Sequence, residues 1–467
     1  MNPNGVKELK RLTGDDNVRT GVGSLARYFR EAVPSTDLVL VTPENTDQLT
    51  DVAAFCFEGE IPLYSVRRKY IEDGSLASRK GILVDLVKMN HIKKIDTRNL
   101  TAHVYGGVTF EKLQKELDKV NQRLLFPVAG QSPSVLRSYV DRDILMGSGG
   151  YRHPHISVFH AVLADGQMWI SGSQQITDEG HADFREDQGP QFSPFFGASE
   201  DIFGIPYYGL VYTYPNREAR KLLAFGFEEV GPARDLLYKV SRAEWCFEAF
   251  TANDRYLSVQ LAEGQADRVA GIRKKLNPWT AVITVEHHRE LVELWEGYIK
   301  AAAKELGGKP LRGQVPEIAG EALKKPWYVY DRDFFRGRCR HIYCYQDFKT
   351  VPDTFGLIDA NAEEAGVRPE ELGKIVVPSY FGGAAYCEAD LYYNPGDEKA
   401  SKAADRARAG AFEALLDSKA FIDKPVGDVA RMVYSRTDPS YLEIIKTFKR
   451  TVDPKGLMNP DQLLEGV

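Results

Sequence analysis

The sequence predicts an α+β fold built as two domains, and three observations predict it. Runs alternating apolar and β-branched residues are interleaved with runs of helical period, joined by short connections. At 467 residues the chain exceeds what one hydrophobic core of ordinary size organises. The texture also shifts near Asn216, from glycine- and aromatic-rich β-type sequence to long amphipathic helices set among strands.

The opening, MNPNGVKELKRLTGDD, reads as helix and lacks the apolar core of a secretory signal, and no run of about 18 apolar residues follows. A cytoplasmic protein with no membrane span is expected. With 60 basic and 66 acidic residues, a net charge of -6 and 43% hydrophobic content, the composition is that of a globular chain. Its lysines and arginines are scattered, with no basic block for nucleic acid. The five cysteines, Cys56, Cys246, Cys339, Cys344 and Cys387, are dispersed without a CxxC pair, as in a reducing compartment. Cys339, His341 and Cys344 lie close together in RGRCRHIYCYQDF, but alternation along one strand accounts for that spacing and no second ligand pair stands nearby. No metal is expected.

From Leu38, LVLVTPENTDQLTDVAAFCFEGEIPLYSV reads as strand, turn, helix and strand, with Thr46 capping the helix. An apolar strand follows at Ile82 to Leu86, then β-rich sequence through Val104 and an amphipathic helix from Thr109. Between Ser134 and Pro215, Gly197, Gly204 and Gly209 interrupt β-type residues, so strands and tight loops alternate. Beyond Asn216, NREARKLLAFGFEEVGPARDLLYKV and HRELVELWEGYIKAAAKEL read as amphipathic helices among the strands YLSVQLAE and TAVITVEHH. The close, SYLEIIKTFKRTVDPKGLMNPDQLL, is an amphipathic helix ended by Pro454 and Gly456.

The order VTPENTDQLTDVAAFCFE, GILVDLVKMNHIKKID, AHVYGGVTFEKLQKEL resembles the first FAD subdomain of the vanillyl-alcohol oxidase and p-cresol methylhydroxylase (PCMH) superfamily. The matching features are Pro43, the strand Val84 to Leu86 ending in Asp-Leu, and the turn Gly107-Val108-Thr109. HAVLADGQMWISG and IFGIPYYGLVYTYP resemble pieces of the second subdomain, and KRTVDPKGLMNPDQLL its C-terminal signature, with Asn459-Pro460 in place. The resemblance covers residues 38 to 215 and 440 to 463. It implies a PCMH-type FAD-binding domain at 1–215, in two α+β subdomains of about 1–105 and 106–215. It further implies an α+β cap with an antiparallel sheet at 216–430 and a C-terminal segment, 431–467, returning to the FAD domain.

The cofactor so implied is FAD, whose pyrophosphate is usually cradled by backbone N–H groups of glycine-rich turns. The family's turn matches Ser65 to Gly81, where Arg68, Gly74 and Ser75 are retained, while Arg67, Ile71 and Asp73 replace expected glycines. Glu72 and Asp73 add like charge beside a dianion, a repulsion on the order of 1 kcal/mol in water. The second flavin-contacting segment, SPSVLRSYVDRDILMGSGGYRHPH, contributes Ser132, Arg137, Ser138, Gly147, Gly149 and Gly150; Gly107, Gly204, Ile205 and Asn459 complete the implied set. Either Arg67, Arg68 or Arg137 neutralises the phosphates, or the chain has lost the flavin. His153, His155 and His160 read as turn and strand histidines rather than a covalent flavin link.

The alkylphenol-oxidising branch holds a phenolate with a tyrosine and an arginine near the C-terminal segment, and RMVYSRTDP offers Tyr434 and Arg436, a surface arginine being the alternative. In the cap, strand alternation turns about half of its many tyrosines toward the flavin. Tyr345 and Tyr386 are the candidates for polarising a hydroxyl, with packing as the alternative. The family's acidic base position falls on Tyr151, so that role does not carry over, and YCEADLYYNP lacks the metal-binding histidines of the glycolate and D-lactate branch. The expected function is FAD-dependent removal of a hydride from an aromatic alcohol, alkylphenol or hydroxy acid by a homo- or hetero-oligomer. Oxygen, a cytochrome or a partner protein would accept the electrons. The glycine-poor loop motivates the alternative of a non-catalytic, flavin-depleted subunit in a hetero-oligomeric flavoprotein complex.

Overall fold

The apolar β-type runs gather into four sheets in the computed structural model, which describes residues 3–29, 35–66, 78–127, 133–145, 155–175, 185–311 and 332–460. The first sheet runs Val18–Thr20, Asp37–Val41, Lys80–Val84, Leu63–Ser65, the last three strands parallel. Parallel neighbours need a crossover, supplied by the helix Thr46–Glu58. Its cap is Asn45, one residue before the expected Thr46, because the Asn45 side chain reaches the Gln48 N–H at 3.0 Å.

The second sheet is antiparallel: Ile92–Asp96, Thr101–Tyr105, Ile205–Tyr212, Ile156–Val162, Met168–Ile170. The helices Phe110–Asp118 and Val135–Val140 share its larger core, while Val158, Val162 and Leu210 belong to the core of the first sheet. Gly209 permits this contact, since a Cβ there would stand 2.5 Å from Leu136 Cδ1. A two-stranded pairing joins Gln122–Arg123 to Tyr214–Pro215.

The remaining sheet has seven strands: Lys309–Pro310, Ala219–Phe227, Trp279–His287, Glu248–Asn253, Gly373–Ser379, Ala384–Tyr393, Arg338–Gln346, every pair antiparallel. The helices Val230–Arg242, Arg289–Glu305, Val351–Glu364 and Glu398–Asp417 pack against it. The α+β class with antiparallel sheets is therefore as expected. Among the described residues no helix is long and apolar enough to cross a membrane.

Two local expectations are corrected. YLSVQLAE lies in the helix Asp254–Gln260, capped by Asn253 accepting from Tyr256 N at 2.9 Å. Residues Arg255 to Val259 are buried on all sides, so their apparent alternation marked no face. NREARKLLAFGFEEVGPARDLLYKV is not one helix, because Ala219–Phe227 pairs along its whole length with Trp279–His287 before the helix Val230–Arg242 begins. Tertiary pairing outweighs the local helical preference.

The final helix, Pro439–Val452, leads the chain back to the first sheet. There Leu63 N donates to Leu457 O at 2.9 Å and Asn459 N to Leu63 O at 2.8 Å. The second and seven-stranded sheets share one apolar core, and a buried ion cluster ties the two-stranded pairing to the seven-stranded sheet. Arg123 Nη2 lies 2.6 Å from Glu286 Oε2, its Nη1 3.6 Å from Glu248 Oε1, and its guanidinium 3.9 Å over the Phe247 ring. Arg220, a third exposed, closes the cluster from outside at 2.6 Å from Glu248. Arg123→Met leaves Glu248 and Glu286 with only the part-exposed Arg220 as counter-charge, so it should cost roughly 3–5 kcal/mol in urea unfolding. A loss below about 1 kcal/mol would show that the cluster does not hold the two sheets together.

Candidate active site

Strand alternation puts Tyr386, Glu388, Asp390 and Tyr392 on one face of the seven-stranded sheet. Their register partners Tyr345, Tyr343, His341 and Cys339 share that face. The intervening Arg340 turns the other way, to Asp405 on the helix Glu398–Asp417 at 2.5 Å. Beneath the sheet lies a continuous polar strip. Tyr386 O–H donates to Glu388 Oε2 at 2.5 Å, and Arg332 Nη1 donates to Glu388 Oε1 at 2.5 Å and to Asp390 Oδ2 at 2.7 Å. His341 Nδ1 is 2.7 Å from Asp390 Oδ1, and Tyr392 O–H donates to Asp390 Oδ2 at 2.8 Å. Arg332, Glu388 and Asp390 are at most 3% exposed, so the guanidinium answers carboxylates that water cannot.

Cys339 Sγ, His341 Nδ1 and an Asp390 oxygen lie within 4.8 Å of one another, and Arg332 supplies positive charge to the same cluster. Burial opposes ionisation of Asp390, yet Arg332 and His341 together hold its pKa well below the usual carboxylate range. Burial drives the Tyr386 phenol well above its ordinary value, and the Glu388 carboxylate pushes it further. Burial likewise keeps Cys339 a thiol, pushed up to about 12. The strip thus sets protonated phenols beside the ionised Asp390 carboxylate.

The aromatic candidates cluster around it. The Tyr345 ring centroid is 5.3 Å from that of Tyr386 and the Tyr343 centroid 6.2 Å. Tyr343 O–H donates to Lys424 O, and Lys424 Nζ pairs with Asp143 of the N-terminal half at 2.8 Å, buried on both sides. Opposite, Ala198, Glu200 and Asp201 all adopt left-handed backbone, with φ of 58°, 53° and 58°. Strain of this kind persists only where the surroundings over-determine it. Here Lys449 Nζ donates to Ile202 O and Met458 O at 2.7 and 2.8 Å and pairs with Asp453 at 2.5 Å.

The expected cofactor residues fall into three groups. Arg68, Gly74, Ser75, Ser132, Gly147, Gly149 and Gly150 lie outside the described residues. Gly107, Gly204 and Ile205 serve packing, a Cβ at Gly107 meeting Leu86 O at 2.2 Å and one at Gly204 meeting Phe196 Cε1 at 3.0 Å, while Ile205 is fully buried opposite Val162. Arg137, Ser138 and Asn459 converge. Arg137 Nη2 pairs with Asp201 at 2.7 Å and its Nη1 donates to Val66 O at 2.6 Å, so Asp201 already neutralises the charge expected for a phosphate. Ser65 O–H donates to the same Asp201 oxygen at 2.5 Å, and Asn459 Oδ1 accepts from Ser65 N at 3.0 Å. Beside this knot the Ser138 hydroxyl is sealed from water without a hydrogen-bond partner, an orphan that costs roughly 1–3 kcal/mol. A polar ligand atom would satisfy it, so the described residues fit a polar cofactor laid against the helix Val135–Val140.

Tyr434 and Arg436 do not converge. Burial, then Tyr441 and Glu200, push the Tyr434 phenol up to about 12, whereas Arg436 faces solvent and pairs with Asp417 at 2.7 Å. His155 binds the Tyr214 hydroxyl at 2.8 Å and His160 binds Gln174 at 2.7 Å. Sequence reasoning missed Arg332, Glu388 and Asp390, and weighed His341 only as a metal ligand beside Cys339 and Cys344. The available signal was two carboxylates at alternate positions of the aromatic run YCEADLYY, since a buried strand carrying acids requires a cation against it.

Residues 38–171 match the FAD binding domain family. Glycolate oxidase subunit GlcD of Bacillus subtilis (strain 168) is 24% identical over 249 residues, 51% of this chain and 50% of that protein. The flavoprotein subunit of 4-cresol dehydrogenase (hydroxylating) from Pseudomonas putida is 27% identical over 179 residues, 36% of this chain and 34% of that one. The chain's match thus spans half or less of the length of these relatives. A crystal structure of p-cresol methylhydroxylase with substrate bound superposes at a TM-score of 0.80 with 18% identity, covering 97% of this chain and 94% of that one.

Two outcomes follow from the buried charges and phenols. Arg332→Gln should cost roughly 3–5 kcal/mol in chemical unfolding by leaving Glu388 and Asp390 uncompensated; an unchanged midpoint would contradict the pairing. Tyr207, Tyr214 and Tyr434 are each raised to about 12, first by burial. The folded chain therefore keeps protons that the unfolded chain releases above its ordinary phenol value of 10.0. Stability should be undiminished by these groups below that value and fall as pH rises toward 12, by about 1.4 kcal/mol per pH unit for each such phenol. Denaturant midpoints that stay level across that window would refute the burial argument.

Proposed function

We propose, from the premise that the chain carries an FAD-binding domain within the p-cresol methylhydroxylase-type fold, that it is an FAD-dependent oxidoreductase removing a hydride from an aromatic alcohol or alkylphenol. One observation carries this reading: the buried Tyr386–Glu388–Arg332 chain along one face of the seven-stranded sheet. Residues 1–215 and 431–467 would form the FAD-binding domain and 216–430 its cap.

FAD, when bound, supplies a two-electron acceptor for the hydride. The protein's part is to place the reacting carbon, exclude water and take the proton. A substrate hydroxyl set against Tyr386 passes its proton to the phenol oxygen while the phenol proton moves to Glu388 along their 2.5 Å hydrogen bond. The carboxylate becomes a carboxylic acid, the C–H electron pair leaves as hydride, and the carbonyl forms. Arg332 fixes Glu388 in place, and Tyr343 and Tyr345 flank the reacting ring with apolar surface. The names of the relatives, a glycolate oxidase subunit and a cresol dehydrogenase subunit, support an oxidoreductase. The second of these is named as a flavoprotein subunit, which supports an oligomer passing electrons to a partner.

One observation favours a second reading, a flavin-depleted subunit: Arg137 is paired with Asp201 rather than open to a phosphate. The two readings part on colour. The purified chain should be yellow, or become so with added FAD, and should bleach when mixed anaerobically with 4-hydroxybenzyl alcohol. Glu388→Gln should slow bleaching by on the order of 10²- to 10⁴-fold with flavin retained. A colourless protein that takes up no FAD would favour the subunit reading, and a Glu388→Gln variant as fast as the parent would remove Glu388 from the chemistry.

A further inference from the structure

Beside the Arg338–Gln346 strand, the last of the seven-stranded sheet, lies a cavity of about 330 Å³. Three rings wall it, those of Tyr345, Tyr380 and Phe421, and Gln346, Asp347 and Lys419 supply its polar lining. Its volume sits near the lower end of small-ligand sites, roughly 300–1,000 Å³, which suits one aromatic ring with short substituents.

Its walls are held in place against ordinary preferences. Phe421 is 60% exposed and Tyr380 43% exposed, large apolar surfaces kept in water at the cavity mouth. Tyr380, its neighbour Phe381 and Lys419 all adopt left-handed backbone, with φ of 51°, 54° and 64°, where a bulky side chain is a genuine outlier. Such strain marks places where surrounding structure fixes an unfavourable geometry, and functional sites are where it collects. Phe421 is fixed from the inside by a two-way backbone bridge to Tyr345, with N···O distances of 2.8 and 3.1 Å. The Phe421 and Tyr345 ring centroids are 6.1 Å apart, and the next ring inward, 5.3 Å from Tyr345, is Tyr386. The cavity therefore opens at the surface and ends one ring short of the Tyr386–Glu388 pair.

We infer that this cavity is an outer binding subsite for the aromatic ring of the substrate, selecting neutral hydroxylated rings. The inference rests on the oxidoreductase reading for what happens to the ligand afterwards. Three rings offer edge and face contacts that a saturated ring cannot reproduce. Lys419 and Asp347 bring one charge of each sign, so the lining gives a hydroxyl both donor and acceptor and gives a carboxylate no net attraction.

The test is calorimetric titration of the full FAD-saturated chain with 4-methylphenol and, separately, with 4-methylcyclohexanol. The parent should bind the phenol more tightly than the saturated analogue. Phe421→Ala and Tyr380→Ala should each weaken phenol binding about three- to tenfold, while Leu294→Ala, an exposed apolar residue on another helix, should not. Circular dichroism checks that the variants remain folded. Phenol binding that survives both truncations, equal binding of the two probes, or no binding by the parent overturns the subsite. Turnover is read independently. Binding lost in Phe421→Ala with no alcohol oxidised by any form keeps the subsite and removes the oxidoreductase reading. Oxidation of 4-hydroxybenzyl alcohol with an unchanged KM in Phe421→Ala keeps that reading and removes the subsite.

Discussion

Arg123 is the residue on which the arrangement of the two halves depends. Its guanidinium leaves a two-stranded pairing of the N-terminal half and enters the seven-stranded sheet between Glu248 and Glu286. Buried carboxylates are tolerated only when a cation is brought to them with good geometry. Two acids on neighbouring strands therefore fix where the other half must sit. Coulombic attraction at such a site is steep in distance, so the junction has little freedom to slide.

With that junction set, the remaining contacts follow a common pattern. Lys424 meets Asp143, Arg137 meets Asp201, and Lys449 meets Asp453 and two backbone carbonyls. Each places a cation from one chain segment into a polar pocket of another. The strained stretch Ala198 to Asp201 is the shared neighbour of two of these pairs, which explains why three left-handed non-glycine residues survive there. The polar strip under the sheet follows the same rule from within, with Arg332 between Glu388 and Asp390. A site assembled this way is dry and electrostatically stiff, which holds the Tyr386 hydroxyl against the Glu388 carboxylate.

The fold was more legible in the sequence than the site. TAVITVEHH was read correctly as the strand Trp279–His287 because its β-branched run of Thr, Val, Ile, Thr and Val favours a strand even though every residue from Thr280 to Glu286 is buried. Local pattern failed at Asp254–Gln260, where nearly everything is buried, and at Ala219–Phe227, where nine cross-strand pairs decide against a locally helical composition. Tyr345 and Tyr386 were legible as inward-facing aromatics, and they do stand side by side. Arg332 was not legible, since its role depends on Glu388 and Asp390, 56 and 58 residues later, which no local pattern connects to it. Tyr434 and Arg436 stand two residues apart in sequence, but the helical turn sends them to different neighbours, Glu200 and Asp417.

The hydrogen bond between Asn459 and Ser65 closes a loop of 394 residues. The entropy of such a closure grows only logarithmically with length, so its thermodynamic burden is modest. Its kinetic meaning is larger. During synthesis the first sheet waits with an open edge at Leu63–Ser65 until the whole seven-stranded sheet has been made and has emerged. An unpaired strand edge is a template for association with other chains. The order of assembly is thus written into the connectivity: Leu457 to Asn459, made after the seven-stranded sheet, complete the edge of the first sheet, and a ribosome-bound chain short of them leaves Leu63–Ser65 uncovered.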